Sequence, residues 1–421
     1  MTTETTLQNK TAINQNRIIV GIVLLLFGLF MFLFFARDTQ PGQQATFGMN
    51  LGDNSGALVI PDLVLPVRPS LYALIAVTVF LAGWQFARGI RSTGLLAGIV
   101  SFAFVSAFLI WATKDQAFNL VGMMNNSLIS ATPIALAALC GVISERAAVV
   151  NIGIEGIMLL SAEAAVVFGT ISHNLWVGLI AAILTGGLIA ALHAYLVIHF
   201  KVDQVVSGVA INIFGTGATS FISSRYLEQN IDGLNNSGTF QNISIPLLSK
   251  IPIIGPIFFQ NNIVVYLMII LVVVMHILLF YTPWGLRTRA VGEHPKAADT
   301  LGINVYFMRY VNVIIGGMIA GLGGAYFTIG SVGRFDQDMT AGKGFIGLAA
   351  MIFGKWNPIG AFFSSLIFGF ADSLQVKMQI LGINIPSQFL QMAPYIVTMI
   401  VLTGIVGRAI PPAADGQPYE K

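Results

Sequence analysis

The chain has 421 residues, of which 56% are hydrophobic and only 9% are Asp, Glu, Lys or Arg, with a formal net charge of +3. Soluble domains carry roughly 25% charged residues, so an ordinary water-soluble enzyme is excluded, and +3 gives no reason to invoke nucleic acid. Mean hydropathy of +0.81 indicates an integral membrane protein. The 44 glycines suit close helix–helix contacts, and the alternating segments of about 10 residues that a membrane barrel needs do not occur. The expected fold is all-α: a polytopic membrane helical bundle of about 10–12 segments, some of them short or broken.

In chain order, a polar stretch (Met1–Asn16) precedes Ile18–Ala36, which is long enough to remain as an anchor rather than a cleaved signal. Further spans are expected near residues 69–87, 94–112, 119–143, 147–169, 175–199, 205–225, 263–282, 310–330, 358–376 and 388–407. Residues 344–354 are too short to cross alone and read as a half-helix or re-entrant piece. Two sizeable connections, 37–68 and 227–261, fall on the outside. With the N-terminus placed inside, more Lys and Arg lie inside than outside. Four of them (Arg287, Arg289, Lys296, Arg309) sit in one polar island, so both termini and the island are expected in the cytoplasm.

The fourth span carries Asn125-Asn126-Ser127, then Ser130, Thr132 and the helix-kinking Pro133. This mixture suits a pathway for a neutral, hydrogen-bonding solute. The alternative is interhelical amide contact worth about 0.6 kcal/mol. Three carboxylates (Glu155, Glu163, Asp372) fall within spans, where a charge costs about 2.5–3.5 kcal/mol on insertion scales. Spacings of four and three place Asn151, Glu155 and Met158 on one helical face. Gly153 and Gly156 loosen that helix, and a break there would aim free N–H groups into the bundle. The competing reading for Glu155 is packing or interfacial hydrogen bonding; Glu163 and Asp372 are read as structural or interfacial.

Cys140, the single cysteine, reads as a small core residue, and the five histidines show no metal-ligand spacing. No catalytic or metal site emerges. The island itself, Arg287–Arg309, has a turn signal at His294-Pro295, a helix-forming run Lys296-Ala297-Ala298-Asp299 and a stop at Gly302. Gly342–Gly360 reads as a short helix, a tight turn supplied by Gly354 and Asn357-Pro358, and a new span. There is no GxxxxGK[ST] sequence, so nucleotide chemistry must come from another chain.

Three motifs in this order, Asn151-Ile-Gly-Ile-Glu-Gly-Ile-Met158, Gly292-Glu-His-Pro-Lys-Ala-Ala-Asp-Thr-Leu-Gly-Ile303 and Gly342–Gly360, resemble permease subunits of ABC importers. The family is the branched-chain amino acid, simple-sugar and nucleoside permeases, and the Asn-Ile-Gly-x-Glu-Gly form is most like its purine nucleoside branch. The resemblance covers residues 120–407. It implies two ATPase subunits holding ATP and Mg, a second permease (homologous or identical), an extracytoplasmic substrate-binding protein and a location in a bacterial plasma or inner membrane.

On the same resemblance, residues 287–309 are the coupling region. Gly292, Glu293, Pro295, Lys296, Ala297, Ala298, Asp299, Gly302 and Ile303 would meet the ATPase. Asn125, Asn126, Asn151, Gly153, Glu155, Gly156 and Met158 would shape the substrate pathway. Residues 1–113 exceed the family core as an N-terminal extension of two or three helices; 114–408 form the permease core and 409–421 a cytoplasmic tail. No cofactor is expected on this chain. The alternatives are an ion-coupled secondary carrier using Glu155, or a permease of this kind for simple sugars or branched-chain amino acids.

Overall fold

The computed structural model describes residues 2–51, 59–90, 93–382, 389, 392 and 409–421. The span expected at 388–407 lies outside the described residues, apart from the two isolated positions. The described residues form two compact units. One holds the chain up to Met123 with the end of a later helix from Val376; the other holds Met124–Gln375 with the segment 409–421.

The first unit contains α1 (Thr2–Met31), which continues as a π-turn over Phe32–Ala36, then α2 (Val67–Ala87) and α3 (Thr93–Ala112). β1 (Gln44–Gly48), which follows α1, pairs antiparallel with β2 (Leu63–Pro66) and parallel with β3 (Ala117–Asn119), which follows α3. Arg17 fastens α1 to the end of α2, donating from Nε and Nη2 to the carbonyls of Gln85 and Phe86. Phe35 packs against Phe104, Phe108 and Trp111. Most of the apolar surface of α1 and α2 stays exposed, as it must when lipid is the outer solvent.

The second unit is a bundle around two buried helices. α4 (Leu120–Glu145) runs on through Pro133 and is 89% buried over its apolar window. α5 (Ile154–Ser172), α6 (Leu175–Ala194, with a π-turn Tyr195–His199) and α7 (Gln204–Ile222, with a π-turn Ser223–Leu227) follow. A connection carrying two short helices, α8 (Ile231–Leu234) and α9 (Ile254–Phe258), and a small antiparallel pair, β4 (Ile243–Ser244) with β5 (Gln260–Asn261), leads to α10 (Ile263–Tyr281). Then come α11 (Pro283–Glu293), α12 (Pro295–Thr300), the second buried helix α13 (Val305–Phe327, π-turn Thr328–Val332), α14 (Lys343–Phe353) and α15 (Pro358–Ile380).

Among the described residues, nine helices are long and apolar enough to cross a membrane, and two apolar ones, Leu96–Ala112 and Lys343–Phe353, are shorter. Small residues let α6, α5 and α13 touch backbone to backbone. Gly317 lies against Ala190 and the Gly186 carbonyl, and Gly324 against the Met158 carbonyl, so a Cβ at either glycine would collide. Asx caps start the helices where the sequence changes character: Asn174, Asp203, Asn262 and Asn304 each accept from a backbone N–H in the first turn.

One span departs from expectation. The helix expected at 147–169 begins only at Ile154. Ala148 adopts a left-handed conformation (φ 63), and the Asn151 side-chain Oδ1 accepts from the Gly153 N–H at 3.1 Å. Such a local bond competes with the helix ladder and holds Arg146–Gly153 as a connector. Asn151 therefore does not share a helical face with Glu155 and Met158.

A half-helix tied at both ends

Glu155 sits in the first turn of α5, where the bundle core meets α14. Its Oε1 accepts from the Thr340 hydroxyl (2.6 Å) and the Gly342 N–H (2.8 Å), and its Oε2 from the Gly344 N–H (2.6 Å). The two N–H groups are orphan donors at the start of α14, whose N-cap residue, Gly342, offers no side-chain cap. Gly344 is packed so closely on Glu155 that a Cβ would lie 2.7–2.8 Å from its backbone and Oε2.

The other end of α14 is fastened to the same connector. Trp356 donates from Nε1 to Glu145 Oε2 at 2.5 Å, and Arg146 donates to the Trp356 and Lys355 carbonyls at 3.0 and 3.3 Å. The turn from α14 to α15 is made by left-handed Lys355 and Trp356 (φ 55 and 52), not by Gly354, whose φ is −71. Gly354 is needed for space, because its Cα abuts the Gly360–Ala361 backbone. Asn357 then caps α15, accepting from Ile359 N at 3.0 Å, with Pro358 in the first turn. The short helix, turn and new span expected over 342–360 are all present.

Asn212 on α7 closes the break in a second place. Its amide donates to the Ile152 carbonyl (2.9 Å) while its Oδ1 accepts from Gly156 N (2.8 Å). Gly156 abuts Ile211, Asn212 and Gly215, so α5 and α7 touch backbone to backbone there. Gly153, Gly156, Asn151 and Met158 are buried, the last two fully. Met158 packs within an apolar cluster containing Ala137, Val313 and Ala320.

Nearby, Lys343 and Asp372 form an ion pair at 2.8 Å, with side chains 18% and 26% exposed. Sequence reasoning reads Asp372 as structural or interfacial and singles out no partner for it. The signal available was that charges inside membrane helices occur in pairs or face a water-filled cavity. Asn125 and Asn126 belong elsewhere. Asn125 donates to the Pro256 and Ile257 carbonyls and to Asn261 Oδ1, tying α4 to the α9–β5 connection. Asn126 is exposed. From Asn126 to Ala137, the α4 residue against Gly347 of α14, is about 16 Å along the helix.

The island forms two helices joined at His294, whose Nδ1 accepts from Ala297 N at 3.1 Å and caps α12. Gly302 takes the left-handed conformation (φ 81) that ends it. Gly292 and Ala298 turn inward, and Gly292 packs on the Arg146 carbonyl. Pro295, Asp299 and Ile303 are half-buried, whereas Glu293, Lys296, Ala297 and Gly302 are exposed. Leu301 is 82% exposed. Beside it opens a cleft of about 670 Å³ lined by Trp284, Leu286, Arg287, Leu301, Ile303 and Phe307. Sequence reasoning missed Leu286 and Phe307, both exposed apolar groups beside the island's polar residues.

The model of the branched-chain amino acid transport system permease component family matches residues 123–408. Among curated proteins, the chain is 45% identical over 307 residues to the guanosine ABC transporter permease NupQ of Bacillus subtilis, an alignment covering 70% of this chain and 95% of that protein. It is 44% identical over 305 residues (70% and 96%) to the nucleoside ABC transporter permease NupC of Lactococcus lactis. A putative glucose ABC transporter permease of Haloferax volcanii is 34% identical over 309 residues (68% and 92%). No solved structure matches the chain.

Proposed function

The chain belongs to the branched-chain amino acid transport system permease component family, and from that membership we propose that it carries purine nucleosides inward across a membrane, driven by ATP hydrolysis on partner subunits. As a multi-pass permease subunit it is not itself catalytic. The observation that carries the substrate class is the likeness at 45% and 44% to guanosine and nucleoside permeases, against 34% to a putative glucose permease. A nucleoside is neutral and rich in hydroxyls and ring nitrogens. Among the polar groups left at least partly exposed near the membrane helices, the Asn126 amide and the Lys343–Asp372 pair beside the Glu155 knot suit it. An ion pair that is neither fully buried nor fully exposed there needs a water-accessible lining, because facing hydrocarbon would cost several kcal/mol.

In this reading Asn126, Lys343 and Asp372 line the pathway, while Asn125, Asn151, Gly153, Glu155, Gly156 and Met158 hold its walls. The island faces the cytoplasm with both termini. Leu286, Leu301 and Phe307 dock into an ATPase that holds ATP and Mg, alongside Lys296, Ala297 and Gly302. A second permease subunit, identical or homologous, completes the pathway, and an extracytoplasmic substrate-binding protein delivers the solute in a bacterial plasma membrane. Glu155 as an ion-coupling carboxylate finds no support, since its oxygens are already engaged by three donors at the head of α14.

The test is removal of the chain from its native host, followed by uptake of radiolabelled guanosine, glucose and leucine. Loss of guanosine uptake alone is expected. Loss of glucose or leucine uptake with guanosine uptake intact would overturn the nucleoside assignment.

A further inference from the structure

The segment 409–421 was expected only to be a tail, yet it is laid across the island and bonded to it along its length. The Ala414 N–H donates to the Gly292 carbonyl at 2.9 Å, and the Ala413 N–H to Glu293 Oε2 at 3.2 Å. Tyr419 is 5% exposed, inserted among Val291, Ala298, Val305 and Met308, with its ring 5.3 Å edge-on to Tyr306. Lys421 reaches Asp299 of α12 (3.6 Å), and Glu420 reaches Lys201 between α6 and α7 (2.7 Å). Exposed pairs of that kind add little energy, so the buried ring and main-chain bonds carry the attachment.

The same segment grips the other side of the junction. Asp415 lies beside Glu145 at the end of α4, and Gly416 packs against Val150 in the connector. Arg309 of α13 donates to the Gln417 carbonyl at 3.0 Å. Val150 adjoins Asn151, from which the connector runs to the Glu155 knot. The segment thus bridges the two island helices and the connector that opens the broken helix. Without it, α12 would rest on the bundle chiefly through Ala298, its one buried residue.

We propose that residues 409–421 are a transmission strap: they convert displacement of α11–α12 into movement of the 146–153 connector, with Tyr419 as the positioning residue. The proposal rests on the ATP-driven reading above. A strap of this kind works in tension, because its two attachment sets lie on elements that would otherwise move past one another. Glu293 acts within it by holding the Ala413 amide.

The experiment uses the full permease–ATPase complex purified from the native membrane and reconstituted in liposomes, comparing the natural chain with Tyr419→Ala, Tyr419→Phe and a deletion of 417–421. Guanosine moved per ATP hydrolysed is measured beside the amount of ATPase recovered. Tyr419→Ala and the deletion should keep the ATPase bound but lower guanosine per ATP by between about twofold and thirtyfold, the range for changes along a mechanical route. Tyr419→Phe should restore the natural ratio, because the ring fills the same cluster. An unchanged ratio in the Ala variant and the deletion would overturn the strap. Loss of the ATPase from those variants would overturn it too, showing that the segment serves assembly. Failure of the natural chain itself to recover an ATPase would sink the transport reading beneath it.

Discussion

At the residue scale, several polar side chains of the bundle hold backbone. Glu155, Asn151 and Asn212 each satisfy N–H groups that a broken helix leaves without partners, which is the condition for irregular backbone inside a membrane protein. Glu155→Ala should orphan three donors and destabilise the fold by about 1–3 kcal/mol for each one left buried, read as a lower unfolding temperature in detergent. Glu155→Gln keeps an acceptor oxygen and should retain much of the stability. Its uptake should show no altered pH dependence; a changed profile would return Glu155 to ion coupling. Asp415 offers a separate titration. Burial pushes its carboxyl from the ordinary 3.8 up to about 6, against the opposing pull of the Gly416 N–H and the Arg309 charge. Because the folded value is raised, docking of the strap is favoured by the proton below about pH 4 and loses that contribution as pH rises to about 6. Amide exchange at Ala414 and Gln417, corrected for its intrinsic pH dependence, should therefore become less protected between pH 4 and 6.5. Asp415→Asn should flatten that change, and an identical slope in the variant would remove Asp415 from it.

At the element scale, length and capping separate α14 and α12 from true spans. α14 has 11 residues, about 16 Å, and depends on anchors from other helices at both ends. Its shortness was visible in the sequence as an apolar run bounded by Gly342 and the Gly354–Pro358 turn. That Glu155 caps it was not, since 187 residues separate the Glu155 carboxylate from the Gly342 amide. The island was legible because polar residues between two apolar runs have few other places to go. Its outward face was less so. The alternation of Ala298 inward and Leu301 outward depends on which side the bundle lies. Since Leu301 is 82% exposed, Leu301→Asp should change stability by no more than about 0.5 kcal/mol. It should reduce the ATPase recovered with the permease by about tenfold if that side chain anchors the contact. Undiminished recovery would move the docking face elsewhere.

At the scale of the whole molecule, one group of polar contacts in the second unit joins five separate pieces of the chain. The end of α4, the 146–153 connector, the α14–α15 turn, the island and the strap meet around Glu145, Arg146 and Gly292. Burial lowers the Arg146 guanidinium below its ordinary range, partly offset by the Glu293 carboxylate, so even this polar hub is partly withdrawn from water. Movement imposed on any one of these pieces has few soft routes out, because close-packed interiors deform little. The first unit has its own small sheet and aromatic cluster, and the family match begins only at residue 123.

Composition and apolar run length determined the class and the order of spans, because hydrocarbon thickness acts on each segment independently and leaves its mark in local sequence. Gly, Asn and Pro placed the turns for the same reason: each acts on its own backbone. Which polar groups pair across the bundle was decided only by the tertiary structure. Glu155 with Gly344, Asp372 with Lys343, and the strap with Gly292 are contacts between distant positions, and their satisfaction depends on how closely the glycine-lined helices approach. A buried polar group must find a partner, but that requirement names no partner until the chain has folded.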